Sequence, residues 1–355
     1  MSVEATTSPP MGKMEMNDRD MIEIDGAHGG GQLLRTALSL SLCTGTPFRM
    51  SGIRAGRSKP GLMRQHLTAV EAAAKISEAT VTGAAPGSME IRFRPQDIRG
   101  GDYQFAIGTA GSTTLVLQTL LPALWHASSP STLRLEGGTH NPLAPPADFL
   151  THAFAPLVAR MEAPVTIAVE RHGFYPAGGG AITVEVASSK LKPFSLLERG
   201  ALRRTVARAL ISAIPSGVAE RELKVAARYF QLAEDALEHR SIRPALGPGN
   251  ALMVVFEFEE LTEIFTGFGE RGVSAEQVAE RVCREAKTFL ESKAAIGPYL
   301  ADQLLLPMAL AGGGEFSTLA PTNHARTNAA LIEKFLPVEF EFREDGKERW
   351  IVSAS

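Results

Sequence analysis

Three times along the chain a glycine-bearing or turn segment runs straight into an apolar helix, and this recurrence limits the fold more than any other feature. The segments are 29–40, 108–121 and 299–310. In each, Leu, Ala and Val return at helical spacing. Short runs with in/out alternation lie between them, at 89–94 and 181–186, and read as strands. Second helices recur at 64–78, 146–161 and 274–290, the last opening on a Ser274/Gln277 capping box. The order predicts an α/β chain in which a strand–helix–strand–helix unit is used more than once. It closes in a hairpin: 338–342 alternates, Asp345-Gly346 turns, and 350–352 returns.

The stretch 188–276 breaks this pattern. It starts with a polar join at 188–193, holds its own helix at 219–238, turns at Gly247-Pro248-Gly249-Asn250 and continues as a strand at 251–258. It is expected to be a small inserted α/β domain. That leaves 21–187 and 277–355 as the main body and 1–20, polar and rich in Met and Pro, as a disordered leader.

A chain of 355 residues with 44% hydrophobic and 21% charged residues can bury a sizeable core without disulfides. Cys43 and Cys283 have no metal-ligand spacing and read as reduced thiols. The apolar runs fall well short of the ~20 residues a membrane helix needs, and no secretory signal is visible. A cytoplasmic protein with no membrane partner is the expectation.

Net charge is −3, so distribution matters more than the sum. Between residues 51 and 70 stand Arg54, Arg57, Lys59 and Arg64 with no acidic residue. A solvated basic face would look like this, and so would a phosphate site, where Arg clamps oxygens in pairs. Gln65 and His66 follow at a helix start. Upstream, Asp25-Gly26-Ala27-His28-Gly29-Gly30-Gly31-Gln32 follows the strand-like 21–24 and precedes a helix, an arrangement that lets backbone N–H groups approach a phosphate. Asp302 and Gln303 project from another helix start, where a carboxylate also simply suits the helix dipole. His324 sits in a polar loop after Gly312-Gly313-Gly314; its imidazole is available at neutral pH as an exposed side chain or as a nucleophile.

The run IRAGRSKPGLMRQHLTAV at 53–70 resembles a hallmark of the RNA 3'-terminal phosphate cyclase family. So do Arg99-Gly100-Gly101-Asp102-Tyr103, Gly137-Gly138-Thr139-His140-Asn141-Pro142, 171–180 (RHGFYPAGGG), Leu300-Ala301-Asp302-Gln303-Leu304 and Thr322-Asn323-His324. The resemblance runs from about residue 21 to the end. It implies three βαβαββ repeats, similar to the C-terminal fold of translation initiation factor three, around a pseudo-threefold axis, with a thioredoxin-like insert. It also implies ATP-dependent closure of an RNA 3'-phosphate to a 2',3'-cyclic phosphodiester through histidine–AMP and RNA-(3')pp(5')A intermediates, with Mg2+ or Mn2+. His324 matches the adenylylated histidine. Gln118, Tyr299, Leu300, Ala301, Asp302 and Gln303 match nucleotide-binding positions, with Pro145 and Phe265 as flanks for the adenine ring. Arg35, Arg54, Arg57, Gln65 and His66 match a cationic floor for phosphates. The partner is an RNA 3'-phosphate end; the resemblance leaves a dimer open and names no metal ligand.

One departure stands out. The loop after Asp25 is shorter than the family's and lacks its glutamate, a residue implicated in metal and ATP-phosphate binding. His28 is a poor substitute for a hard oxygen ligand, and Glu23 lies upstream on the strand. A catalytically impaired or non-enzymatic RNA-binding or ribosome-assembly scaffold of the same superfamily is therefore the alternative. An enolpyruvyl transferase, which has a related repeat architecture, does not account for the histidine block or the basic run.

Overall fold

The structure is a computed structural model that describes residues 21–27 and 29–355; the leader expected at 1–20, and His28, lie outside the described residues. The chain begins with β1 (Ile22–Asp25), α1 (Gly30–Thr44), β2 (Phe48–Ser51), α2 (Arg64–Ser77), β3 (Thr80–Thr82) and β4 (Ile91–Arg94). Next come β5 (Asp102–Ala106), α3 (Thr113–Trp125), β6 (Ser131–Gly137), α4 (Ala147–Phe149), α5 (Ala155–Arg160), β7 (Val165–Arg171) and β8 (Gly180–Val186). A π-helical turn, Leu150–Phe154, joins α4 to α5. After β9 (Phe194–Leu196) follow β10 (Leu202–Ser212), α6 (Gly217–Phe230), β11 (Leu237–Ser241), β12 (Gly249–Phe258), β13 (Thr262–Phe268) and α7 (Ala275–Glu291). The last elements are α8 (Pro298–Leu310), β14 (Gly314–Thr318), α9 (Asn323–Ile332), β15 (Phe340–Glu344) and β16 (Trp350–Ala354).

Three of the four sheets share one connectivity. Their orders are β1-β2-β4-β3, β5-β6-β8-β7 and β9-β14-β16-β15. In each, the first two strands are parallel; a single helix joins them in the first two sheets, whereas in the third the connection carries the fourth sheet as well as α8. The last strand pairs antiparallel with the second, and the third sits at the edge. Alternation explains the facing. In β2, Phe48 and Met50 are buried while Arg49 points outward; in β6 the burial alternates along its whole length. One face of each sheet thus joins the core and the other carries ion pairs such as Arg134–Glu170.

The helices covering these sheets are buried nearly all round. α3 buries every residue except Gln118, and α8 leaves few polar positions besides Tyr299, Asp302 and Gln303. A helix apolar on every side belongs inside the molecule. α1 packs against α2, α3 and α9, so polar side chains on it meet other helices rather than solvent.

The fourth sheet, β11-β10-β12-β13, has a core of its own built on Phe256, Phe265, Phe289, Val254 and Leu252. The 274–290 helix, read from periodicity as a second helix of the repeat pattern, packs here instead: Val278, Ala279, Val282, Cys283, Ala286 and Phe289 of α7 are buried against this sheet. The second helix of the third sheet is α9. Its period is the same, and period does not reveal which sheet an apolar face covers. The elements on the fourth sheet accordingly run from Leu202 to Glu291, whereas Phe194–Leu196 within the expected insert pairs with β14. The helix expected at 219–238 ends at Phe230, where Gln231 turns left-handed (φ 54°) and the chain moves on into β11. The Ser274/Gln277 capping box is present, with bonds of 3.2 and 3.1 Å. Both cysteines are free thiols, and no helix among the described residues is long and apolar enough to cross a membrane.

Among the side chains that tie the fourth sheet to the rest are Arg199 and Glu263. Arg199 lies 4.7 Å from the ring centres of both Phe258 and Phe289 and donates to the carbonyls of Phe289, Leu290, Ser292 and Ala294 at 2.8–3.1 Å. It thereby satisfies the orphan carbonyls at the end of α7. Glu263 on β13, 1% exposed, accepts the Gly297 N–H at 2.6 Å, and Gly297 is the N-cap of α8. Burial pushes the Glu263 carboxyl up to about 7, against the Gly297 and Ile264 N–H groups that favour its charged form.

Arg199→Ala leaves buried carbonyls unpaired and removes both ring contacts. Urea unfolding should show a loss of about 2–4 kcal/mol; a loss near zero would mean that water replaces the guanidinium without cost. Glu263 binds its proton more tightly folded than unfolded, so stability should fall as pH rises from the unfolded carboxylate value of about 4.5 to about 7. Glu263→Gln should flatten that part of the stability–pH curve.

Candidate active site

Three helices converge through polar side chains at helical spacing. On α9, Thr322 is the N-cap, its hydroxyl accepting the Ala325 N–H at 3.1 Å, and this sets His324 in the exposed first turn. On α8, Asp302 emerges one turn from the helix start. On α1, Gln32 stands between them: its Nε2 donates to both Asp302 oxygens at 3.0 and 3.1 Å, and its Oε1 meets His324 Nδ1. One turn further along, the pairing repeats. Thr36 donates to Asn328 Oδ1 at 2.8 Å, and Asn328 Nδ2 reaches the Asp302 carbonyl at 3.4 Å. Gln32/Thr36 and His324/Asn328 are each i,i+4 neighbours, so α1 and α9 face each other along one stripe.

This network assigns the histidine tautomer. A carboxylate only accepts, so the Gln32 amide must turn its NH2 to Asp302 and its oxygen to the ring. That oxygen also only accepts, so Nδ1 of His324 carries the proton and Nε2 of the neutral ring keeps its lone pair. Burial pushes the Asp302 carboxyl up, opposed by the Gln32 bond and by His324 and Arg35. Arg35, one turn beyond Gly31 on α1, is pushed down to about 10 by burial, with Asp302 acting against that; it remains charged at neutral pH.

The glycine loop and the basic run also meet. Gly30 has φ 60°, and a Cβ there would stand 3.1 Å from the Arg57 guanidinium; one at Gly31 would collide with the His66 ring and stand 3.3 Å from Arg35. Arg57, His66 and Arg35 thus lie against the backbone next to Gln32. His66 Nδ1 accepts the Met63 N–H at 3.2 Å, and burial, with Arg35 and Arg54, pushes its pKa down to about 4. It is therefore neutral with Nε2–H as a donor. Gln65 Oε1 accepts the Ser112 N–H at 3.2 Å, tying the run to the start of α3, and Gln118 donates to Gln303 at 2.6 Å, tying α3 to α8. None of α1, α2, α3, α8 or α9 has an acidic residue in its first turn, whereas α6 and α7 carry Glu220 and Glu276 there. The positive ends of the first set are left for anions.

The remaining expected site residues differ in their surroundings. Leu300 and Ala301 are 0% and 5% exposed and pack into the core, because only Tyr299, Asp302 and Gln303 fall on the open side of α8. Phe265, expected to flank a base, is 1% exposed among Phe256 and Phe289 and offers no face; its rim abuts Gly297. Arg54 spends NH1 on the carbonyls of Lys59 and Gly61, at 2.7 and 2.9 Å, and so closes its own loop. Tyr299 is half-exposed, its hydroxyl pushed up to about 12 by burial and then by Glu285. Pro145 is half-buried, with its carbonyl bonded by Thr114 at 2.8 Å. Gln32, Asn328 and Glu263 were not singled out from sequence. The signal for the first was a polar residue inside an apolar helix start.

The sequence profile of the family described as RNA 3'-terminal phosphate cyclase matches residues 27–342. The RNA 3'-terminal phosphate cyclase of Ralstonia nicotianae is 58% identical over 321 residues, 89% of this chain and 92% of its own. That of Pseudomonas fluorescens is 54% identical over 325 residues, 92% and 95% respectively. Among solved structures, the enolpyruvyl transferase NikO from Streptomyces tendae aligns at 9% identity with a TM-score of 0.38, over 94% of this chain and 48% of that one. With a profile matched over most of its length and relatives sharing more than half their residues with it, the chain belongs to the RNA 3'-terminal phosphate cyclase family.

Proposed function

We propose that the chain uses ATP to convert an RNA 3'-terminal phosphate to a 2',3'-cyclic phosphodiester, with His324 Nε2 as the atom that carries AMP. The observation that supports this best is the Asp302–Gln32–His324 chain of hydrogen bonds, which leaves Nε2 bare next to the loop against which Arg35, Arg57 and His66 lie. In the first step Nε2 bonds to the α-phosphorus, the α–β P–O bond breaks and pyrophosphate leaves. Nδ1 keeps its proton on Gln32, and Asp302 opposes the positive charge that develops on the ring. An oxygen of the RNA 3'-phosphate then displaces the histidine and takes the AMP. Last, the 2'-hydroxyl oxygen bonds to the 3'-phosphorus, loses its proton, and AMP departs in place of an otherwise poor leaving group.

The residues present fit a polyphosphate. The Gly30–Gly31 approach admits no side chain, and the groups lining it are cations or N–H donors. When bound, a divalent ion such as Mg2+ or Mn2+ neutralises phosphate charge, an ion that accepts one or two carboxylates and takes its remaining ligands from phosphate and water. Asp302 is the carboxylate that would hold it; Glu23 lies 3.8 Å from Arg49 on the strand. The shortened loop favours a second reading, an impaired RNA-binding relative of the enzyme. The same proposal takes the three like-connected sheets as the βαβαββ repeats, Leu202–Glu291 as the thioredoxin-like insert, and the cytoplasm as the place of work.

Incubation with α-labelled ATP and a divalent metal should leave acid-labile label on the protein. His324→Ala should carry none, and Gln32→Leu should label about 100-fold more slowly as the imidazole loses its orientation. Absence of label with every divalent metal would put the impaired reading ahead. Arg57→Ala should weaken binding of an RNA 3'-phosphate while labelling is partly retained. Equal loss of both steps would show that Arg57 serves the nucleotide and the RNA alike.

A further inference from the structure

Away from the His324 network, a second set of ligating groups converges. His140 follows β6, Asp148 lies on α4 and His172 follows β7; one ligand atom from each lies within 4.8 Å of the other two. We propose that His140, Asp148 and His172 form a transition-metal site of the zinc type, with water as the fourth ligand, pinning the 138–142 loop to α4 and to the β7–β8 turn.

The backbone holds these groups before any ion arrives. Thr139 and His140 both donate their N–H to the Gly173 carbonyl, at 2.8 and 3.0 Å, and the Gly173 N–H returns to Thr139 Oγ1 at 2.9 Å. A Cβ at Gly173 would lie 2.6 Å from the Gly137 carbonyl oxygen, so only glycine lets the two segments come this close. The two imidazoles consequently lie ring against ring, 5.1 Å between centres. His140 is 0% exposed, with Nε2 2.9 Å from Asp148 Oδ2. Tetrahedral ligands about 2.1 Å from an ion stand about 3.4 Å apart, so small ring movements suffice.

The surroundings are those of a metal ligand set. His140 Nδ1 lies 2.9 Å from Thr139 Oγ1, which can take the Nδ1–H and so free Nε2 for the ion. Asp148 Oδ1 is held by Arg208 at 3.3 Å, which leaves Oδ2 to ligate. His172 is half-buried, and among the described residues its ring makes no hydrogen bond, which leaves a ring nitrogen for the ion. Two imidazoles and one carboxylate select Zn2+, Co2+ or Ni2+ over Mg2+. The cations Arg208 and Arg240 nearby make the site weaker than a thiolate zinc site.

The test is titration of tag-free, chelator-treated full-length protein with Co2+, read by its tetrahedral visible absorption. One ion per chain should bind, Zn2+ should displace it, and excess Mg2+ should not. His172→Ala and Asp148→Asn should each weaken binding by roughly 100-fold or more, and Thr139→Val by about 10-fold; His324→Ala should leave it unchanged. His140 is not substituted, since its buried ring also packs the core; the half-buried His172 and the isosteric Asp148→Asn and Thr139→Val carry the test. Absence of saturable Co2+ binding, or binding that survives both His172→Ala and Asp148→Asn, overturns the site and leaves a hydrogen-bonded His–Asp pair.

Discussion

The amide of Gln32 is the joint on which the centre depends. It has one donor end and one acceptor end, and each meets a partner on a different helix: Asp302 on α8 and His324 on α9. No carboxylate or hydroxyl in its place would fix both orientation and tautomer, because each could reverse roles with protonation or rotation. The amide cannot titrate. It transmits the field of Asp302 to the imidazole while keeping the proton on Nδ1.

That joint works because the helices around it are otherwise apolar. In α1, α3 and α8 most of the helix surface is buried, and the polar side chains that face inward pair with each other: Gln32 with Asp302, Thr36 with Asn328, Gln118 with Gln303. Unpaired, any of these would cost about 1–3 kcal/mol. The repeated connectivity supplies the helices, and the fourth sheet braces one of them from outside. Glu263 holds the Gly297 N–H at the N-cap of α8, two residues before Tyr299 and five before Asp302, so the fourth sheet has a direct mechanical connection to the helix that carries the carboxylate of the centre.

Much of this was legible in the residues. The 274/277 capping box and the C-terminal hairpin are local devices, and they formed as the spacing dictated. His324 and Asp302 drew attention through the family resemblance, since by spacing alone an exposed histidine and a carboxylate suited to a helix dipole explain them equally well. The run 299–303 divides between two environments. Successive helix residues turn by about 100°, so a motif contiguous in sequence splits between site and core; Leu300 and Ala301 went to the core. Phe265 and the helix at α7 were misplaced for another reason. Both join a hydrophobic cluster made of distant segments, and which cluster an apolar face enters is a tertiary fact. Gln32 escaped notice because glutamine is unremarkable until its two partners are seen.

The charge of the centre argues for how it must be used. Arg35 and Arg57 bring positive charge, Asp302 takes part of it back, and His66 is held neutral by burial and its cationic neighbours, while the proposed reaction calls on His324 to attack as the neutral ring. A protein that kept His66 charged would grip phosphate more strongly but would also raise the cost of the positive ring formed on His324. Keeping His66 as an uncharged N–H donor avoids that penalty. The remaining neutralisation then falls to helix ends free of acidic residues and to whatever cation accompanies the polyphosphate. With the loop glutamate missing and Glu23 facing Arg49 across the sheet, the proposed reaction asks Asp302 to serve the imidazole and that cation together. The speed of the first chemical step should therefore be the property most sensitive to the shortened loop, ahead of any affinity for RNA.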